Sequence, residues 1–163
     1  MAEFLGGWKR THTCGDLRGA DKGKTVILMG WVHRRRDHGG LVFVDLRDRY
    51  GITQIVFDPK DHQQSHLVRN EWVLAIKGEV MARPEGTINP KLGTGEIEVK
   101  CQEVKVLNSS LTPVFPIEDE VEVAEEVRLE HRYLDLRRPS MKDKIVMRHK
   151  TSTAIRSYMN NQS

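Results

Sequence analysis

Residue types able to do chemistry concentrate in one stretch, Gly30-Trp31-Val32-His33-Arg34-Arg35-Arg36-Asp37-His38-Gly39-Gly40, followed by Leu41-Val42-Phe43-Val44-Asp45-Leu46-Arg47-Asp48. It places a dense basic cluster at a turn between two strand-like runs, and the second run carries an aromatic, Phe43. Guanidinium groups neutralise phosphates, and a flat apolar ring accepts an unstacked base. Side by side on a sheet, the two suit a single-stranded nucleic acid. Asp37, Asp45, Asp48 and Asp58 offer a different chemistry, a carboxylate cluster for a metal. They fall in or beside expected turns, where Asp is favoured for local hydrogen bonding, so the turn reading is preferred and no metal site is expected.

The elements that must position these residues are strands. Thr25 to Val32 is rich in β-branched and apolar residues, Asp37-His38-Gly39-Gly40 reads as a turn, and Leu41 to Leu46 is the next strand. Asp48-Arg49-Tyr50-Gly51 is a tight turn into a third strand, Ile52 to Phe57. Asp61 to Val68 suits a short helix. Glu71 to Met81 returns to strand character, Arg83 to Pro90 is loop, and Ile97 to Leu107 is the fifth strand. The expected fold is mainly β: a five-stranded OB-fold Greek-key barrel with a short helix between strands 3 and 4, followed by a hinge and a C-terminal helix. Closure buries alternate side chains, expected to be Ile27, Val32, Val42, Val44, Ile55, Leu74, Ile76 and Val99.

Composition bounds the reading. The chain has 163 residues, 38% hydrophobic and 30% charged, which suits a globular domain with length to spare. Its formal net charge is only +3, so nucleic-acid binding has to come from a local patch. Cys14 and Cys101 lie far apart without ligand-spaced partners, which favours two free thiols in a reducing compartment over a zinc site. No apolar run is long enough to span a membrane, and the first residues lack the features of a secretory signal, so a cytoplasmic location is expected.

Beyond Leu107 the pattern changes. Ser109-Ser110-Leu111-Thr112-Pro113 and Phe115-Pro116 read as a linker, and Glu118 to Glu130 is acidic, most simply a solvated face. Ser140 with Asp143 resembles a capping box, and Met141, Ile145, Ser152, Ile155 and Met159 recur at helical spacing. The expected organisation is a leader over 1–10, an OB-fold domain over 11–107, a hinge over 108–139 and the truncated start of a second domain over 140–163. Trp8 in the leader is given no role, and Trp31 is placed in the core or at the barrel rim.

Five tracts in order carry a resemblance: Gly30 to Asp37, Asp45 to Arg49, Gln54 to Pro59, Thr94 to Val99, and Arg132-Tyr133-Leu134-Asp135-Leu136-Arg137-Arg138-Pro139. Together they closely resemble bacterial-type aspartyl-tRNA synthetase, a class II enzyme, from about Thr11 onward. The resemblance implies an OB domain that binds the tRNA anticodon, ahead of a homodimeric catalytic domain using ATP and Mg²⁺ to aspartylate tRNA. The helix after Asp143 looks like part of the first class II motif, at the dimer interface. The second and third motifs are absent from the 163 residues, so this chain is expected to be catalytically inactive alone and to need no cofactor of its own.

The same resemblance implies roles for residues. Phe43 would stack on the central anticodon base; its alternative is a core phenylalanine, but alternation with Val42 and Val44 sets it on the face opposite theirs. Gln54 would read that base, since an amide offers donor and acceptor together to a uracil edge; the alternative is an exposed polar strand residue. Arg36 would contact an anticodon base or its backbone, with Arg34 and Arg35 more generic. Glu98 would accept hydrogen bonds from a base, or else be a surface glutamate on an alternating strand. Arg83 and Asn89 lie in a loop able to reach the anticodon. His38 and Gly86 resemble the pair found in non-discriminating enzymes, which charge both aspartate and asparagine tRNAs. The alternative function is a stand-alone OB-fold module binding any single strand.

Overall fold

The computed structural model describes residues 2–58, 60 and 63–162. Alternation of apolar and polar residues builds β1 (Thr25–His38), β2 (Leu41–Arg47), β3 (Ile52–Phe57), β4 (Val73–Ala82) and β5 (Ile97–Asn108). The strands close in the order β1-β2-β3-β5-β4. All pairings are antiparallel except β3 with β5, which is parallel and runs through Ile55 opposite Val99 and Val56 opposite Lys100. The ring is therefore a mixed sheet, uneven at that short parallel seam.

β1 is long enough to serve two neighbours. Its first half pairs with β4, its second with β2, and Trp31 is the residue shared by both ladders. Gly30 permits this change of partner: a Cβ there would lie 2.4 Å from the Arg47 carbonyl oxygen. At the far end Gly39 and Gly40 take φ of 60° and 78°, which only glycine adopts freely, and turn the chain into β2. Asp37 and His38, expected in that turn, belong to β1 instead.

The barrel core holds Val26, Leu28, Val32, Val42, Val44, Leu46, Ile55, Phe57, Leu74, Ile76, Ile97 and Val99. Each fully buried side chain of this size contributes about 1.5–3 kcal/mol. Ile27 departs from expectation: it is half-buried and faces away from the core. Val26, Leu28 and Val32 occupy the inward phase, and Ile27 has the opposite parity. A 3₁₀ turn at Gln63–His66 stands between β3 and β4. The expected helix over Asp61 to Val68 is thus much shorter, and Asp61 and His62 lie outside the described residues.

The first ten residues also differ from the leader expected. The Glu3 N–H donates to the Val106 carbonyl at 2.7 Å, and its carboxylate accepts from the Val106 N–H at 2.6 Å. Lys105 holds the Phe4 and Leu5 carbonyls and stands 4.8 Å from the Trp8 ring centroid. The segment thus runs along β5 where β3 does not pair with it.

The chain divides into two compact units, Met1–Thr112 and Pro113–Ser163. In the second, Phe115, Ile117 and Leu134 form a small core with Val121, Val123 and Val127. Asp135 is fully buried beside Arg138, whose guanidinium also donates to the Glu118 and Asp119 carbonyls. Short helices α1 (Glu125–Glu130) and α2 (Arg132–Asp135) lead to α3 (Pro139–Gln162). Ser140 does not cap α3. It lies inside the helix, and its N–H donates to the Asp119 carboxylate at 3.0 Å. One member of the acidic run thereby satisfies a helix terminus rather than only facing solvent.

Candidate nucleic-acid interface

The strand registers place side chains on the outer face of the barrel in rows. Directly paired residues share a face. Arg34 opposes Asp45, which opposes Gln54; Arg36 opposes Phe43, which opposes Val56. Val42 and Val44 are buried, so Phe43 points outward and is half-buried, as alternation required.

A hydrogen-bonded chain crosses this face. The Arg36 guanidinium donates to Asp45 Oδ1 at 2.8 Å and to Gln54 Oε1 at 3.2 Å. Gln54 Nε2 donates to Glu98 Oε2 at 2.9 Å. Gln54 is only 6% exposed, so its amide is held rather than left to solvent. Asp45 stands mid-strand in β2, and Asp37 in β1 is paired with Arg35 at 2.9 Å. The turn reading fails for these two and holds for Asp48, which accepts from the Tyr50 and Gly51 N–H groups, and for Asp58, which accepts from Lys60. Among the described residues no group of three or more His, Cys, Asp or Glu could hold a metal ion.

The floor of the face opens into a cleft of about 440 Å³ lined by Arg36, Asp37, His38, Phe43, Gln54, Arg83 and Thr87. It combines an aromatic platform, an amide and two guanidinium groups. Arg83 comes from the loop after β4 and is fastened to the Ile97 carbonyl at 3.0 Å. Burial in the cleft lowers its pKa, the Glu98 and Asp45 carboxylates oppose that shift, and Arg36 adds to it. These groups thus share one electrostatic environment.

The candidates are not all in the cleft. Arg36, His38, Phe43, Gln54 and Arg83 line it, and Glu98 adjoins through Gln54. Gly86 precedes Thr87 in the same loop, with φ of 81° and open space where a Cβ would point. Arg34 is exposed one row away. Asn89 is spent on loop structure: its N–H donates to the Gly95 carbonyl and its side-chain oxygen accepts from the Lys91 N–H. Arg35 turns aside, donating to the Ser65 carbonyl. Thr87 was not singled out from the sequence. Its only signal was its place beside Gly86.

A family model described as an OB-fold nucleic acid binding domain matches residues 26–107, and a second, of class II tRNA synthetases (D, K and N), matches 124–163. The chain belongs to the OB-fold nucleic acid binding domain family. Its OB fold places the cleft on the outer face of β1–β3, against the loop between β4 and β5. Similarity extends across the chain to the aspartate–tRNA(Asp/Asn) ligases of Syntrophotalea carbinolica, 56% identical over 98% of this chain and 28% of the relative, and of Moorella thermoacetica, 55% identical over 98% and 27%. The chain spans little more than a quarter of the length of these relatives. Among solved structures, an aspartyl-tRNA synthetase from Entamoeba histolytica superposes with a TM-score of 0.84 at 20% identity, covering 96% of this chain and 38% of that one. An asparaginyl-tRNA synthetase from Pyrococcus horikoshii gives 0.76 at 22%, covering 94% and 35%. At those identities the likeness is one of fold. Among the described residues no helix is long and apolar enough to cross a membrane.

Proposed function

We propose that the outer face of this OB fold reads the anticodon of aspartate tRNA, as the anticodon-binding part of an aspartate–tRNA ligase. The observation that carries the reading is the Arg36–Gln54–Glu98 chain beside Phe43. A base stacked on the ring meets a preset row of donor, amide and acceptor. Stacking is worth about 1–3 kcal/mol per base and is blind to sequence, so selectivity falls to the polar row. Gln54 presents a donor and an acceptor to the central uracil, Glu98 takes a base N–H, and Arg36 contacts a base edge or its phosphate. Arg34 supplies charge along the backbone path.

His38, at the end of β1, and Arg83 and Thr87, from the loop after β4 that also carries Gly86, make up the loop side of the cleft lining. We assign this side to the third anticodon base, C in aspartate tRNA and U in asparagine tRNA. A glycine without side-chain contacts and an exposed imidazole leave that base loosely constrained, which favours a ligase accepting both tRNAs. Asn89 shapes the loop rather than touching RNA. ATP- and Mg²⁺-dependent aspartylation belongs to the longer ligase, as a cytoplasmic homodimer whose interface takes up the exposed Ile145, Ile155 and Met159 of α3.

Fluorescence anisotropy with an anticodon stem-loop carrying GUC, and with each anticodon base changed in turn, tests the reading. Strong loss on changing the central U, at several salt concentrations, is expected. Equal binding of every loop would replace the reading with a general single-strand module.

A further inference from the structure

β1 reverses which of its side chains face outward, and it does so at one residue. Up to Val32 the even-numbered residues Val26, Leu28 and Val32 are buried. Unbroken alternation would turn Arg34 and Arg36 inward as well. Instead Val32 pairs with Leu46 and Arg34 with Asp45, so His33 is one residue too many for the β2 ladder. This β-bulge resets the phase: Arg35 opposes buried Val44, and Arg34 and Arg36 face outward with Asp45 and Phe43.

We propose that Arg47, acting with Glu71 and His33, is a positioning residue that holds this bulge and so aims Arg36 at the RNA; the proposal rests on the reading of the outer face given above. Arg47 Nη2 donates to both carboxylate oxygens of Glu71, at 2.8 and 3.0 Å, and Nη1 meets His33 Nδ1 at 2.9 Å. A guanidinium cannot accept, so the imidazole nitrogen does. Glu71 is 8% exposed and has a φ of 63°, a left-handed conformation that a glutamate holds only when its surroundings over-determine it. They do so twice. Its N–H donates to the Val32 carbonyl at 2.7 Å, and its carboxylate is gripped by Arg47. The Val32 N–H in turn donates to the Trp72 carbonyl at 2.9 Å. The residue before the bulge is thus tied by backbone, and the bulged residue by its ring. Arg47 and Glu71 do not line the cleft, so the unit acts through strand phase and not by touching a base.

The test uses the ¹⁵N-labelled 163-residue chain in two measurements. Without RNA, Arg47→Ala is expected to move the Gln54 side-chain amide resonances as Arg36→Ala does, with the Leu74 and Ile97 amides in place as proof of folding. With the GUC stem-loop, each single variant is expected to weaken binding about tenfold, and the double variant no further, because Arg47 works through Arg36. Unmoved Gln54 resonances in folded Arg47→Ala, or losses that multiply in the double variant, would overturn the proposal. If Arg47→Ala does not fold, Glu71→Gly relieves the left-handed backbone, removes the carboxylate and takes the same two readouts. Failure of the unmodified chain to bind any stem-loop would reject the RNA reading, and the Gln54 resonances would still decide the positioning role.

Discussion

Gln54 and Glu98, 44 residues apart in sequence, are joined across the parallel β3–β5 seam by a 2.9 Å hydrogen bond. The bond sets which way the Gln54 amide points, because its oxygen already accepts from Arg36. Reversing the amide would aim its N–H₂ at a guanidinium and its oxygen at a carboxylate. The row is therefore held in place by the protein itself, which on the proposed reading lowers the ordering cost of binding RNA. Glu98→Gln is expected to release that orientation and weaken the GUC stem-loop about tenfold, by loss of a charge-assisted bond. Unaltered anisotropy titrations would remove Glu98 from the site.

Phe43 and Val44 are neighbours with opposite duties. Phe43→Ala is expected to cost about 1–3 kcal/mol of binding. Its effect on thermal stability should be smaller than that of Val44→Ala, which opens a core cavity beneath fully buried neighbours. Paired melting curves and binding titrations check both. A Phe43→Ala protein that melts early yet binds normally would make Phe43 a core residue.

His38→Leu with Gly86→Asn is expected to favour GUC over GUU in stem-loop competition. Asparagine tolerates the left-handed backbone at position 86 better than other side-chain-bearing residues, and no atom lies within 4 Å of its Cβ position. The double variant should therefore fold. An unchanged GUC-to-GUU ratio would show that these positions do not govern the third base.

The cap on α3 should respond to acid. Hydrogen bonds from Ser140 hold the Asp119 carboxyl below the ordinary carboxylate value, with Arg138 and Lys144 assisting. A lowered pKa means that the contribution is complete above the unfolded value and disappears as pH falls through the folded one. Helicity by circular dichroism should decline only in strongly acidic solution. Asp119→Ala should lower it at neutral pH and remove that part of the acid dependence.

Both thiols should be inert in the native protein. Burial pushes Cys14 far above the usual thiol range, with Asp48 adding to it, and pushes Cys101 up to about 12. The thiolate is the reactive form, so a disulfide-exchange reagent at neutral pH should titrate neither until the chain is unfolded, and then both. Fast native labelling of either would contradict the packing around it.

Much of the architecture was legible in local pattern. Turn residues punctuated five apolar runs, and the valines flanking Phe43 placed it on the outside, because a strand's side chains alternate with a period of two. The same rule misplaced Ile27, since one residue of phase error turns a side chain to the other face. Thr87 lines the cleft while the Asn89 side-chain oxygen accepts from the Lys91 N–H, because loop geometry, not composition, decides which side chain reaches the cleft. The acidic run concealed Asp119, whose partner at Ser140 lies 21 residues on.

The amino-acid order alone determined the strands, the turns, the basic stretch and the family likeness, because these rest on short-range periodicity and on residue types read directly. Tertiary structure alone decided which arginines face outward from the barrel. Arg34, Arg35 and Arg36 are chemically equivalent in the chain. Only the bulge at His33, held by Arg47 from β2 and Glu71 from before β4, turns Arg36 outward and Arg35 aside. That choice depends on contacts between residues 14 and 24 positions apart in sequence. No local pattern carries them, because they exist only after the barrel has closed.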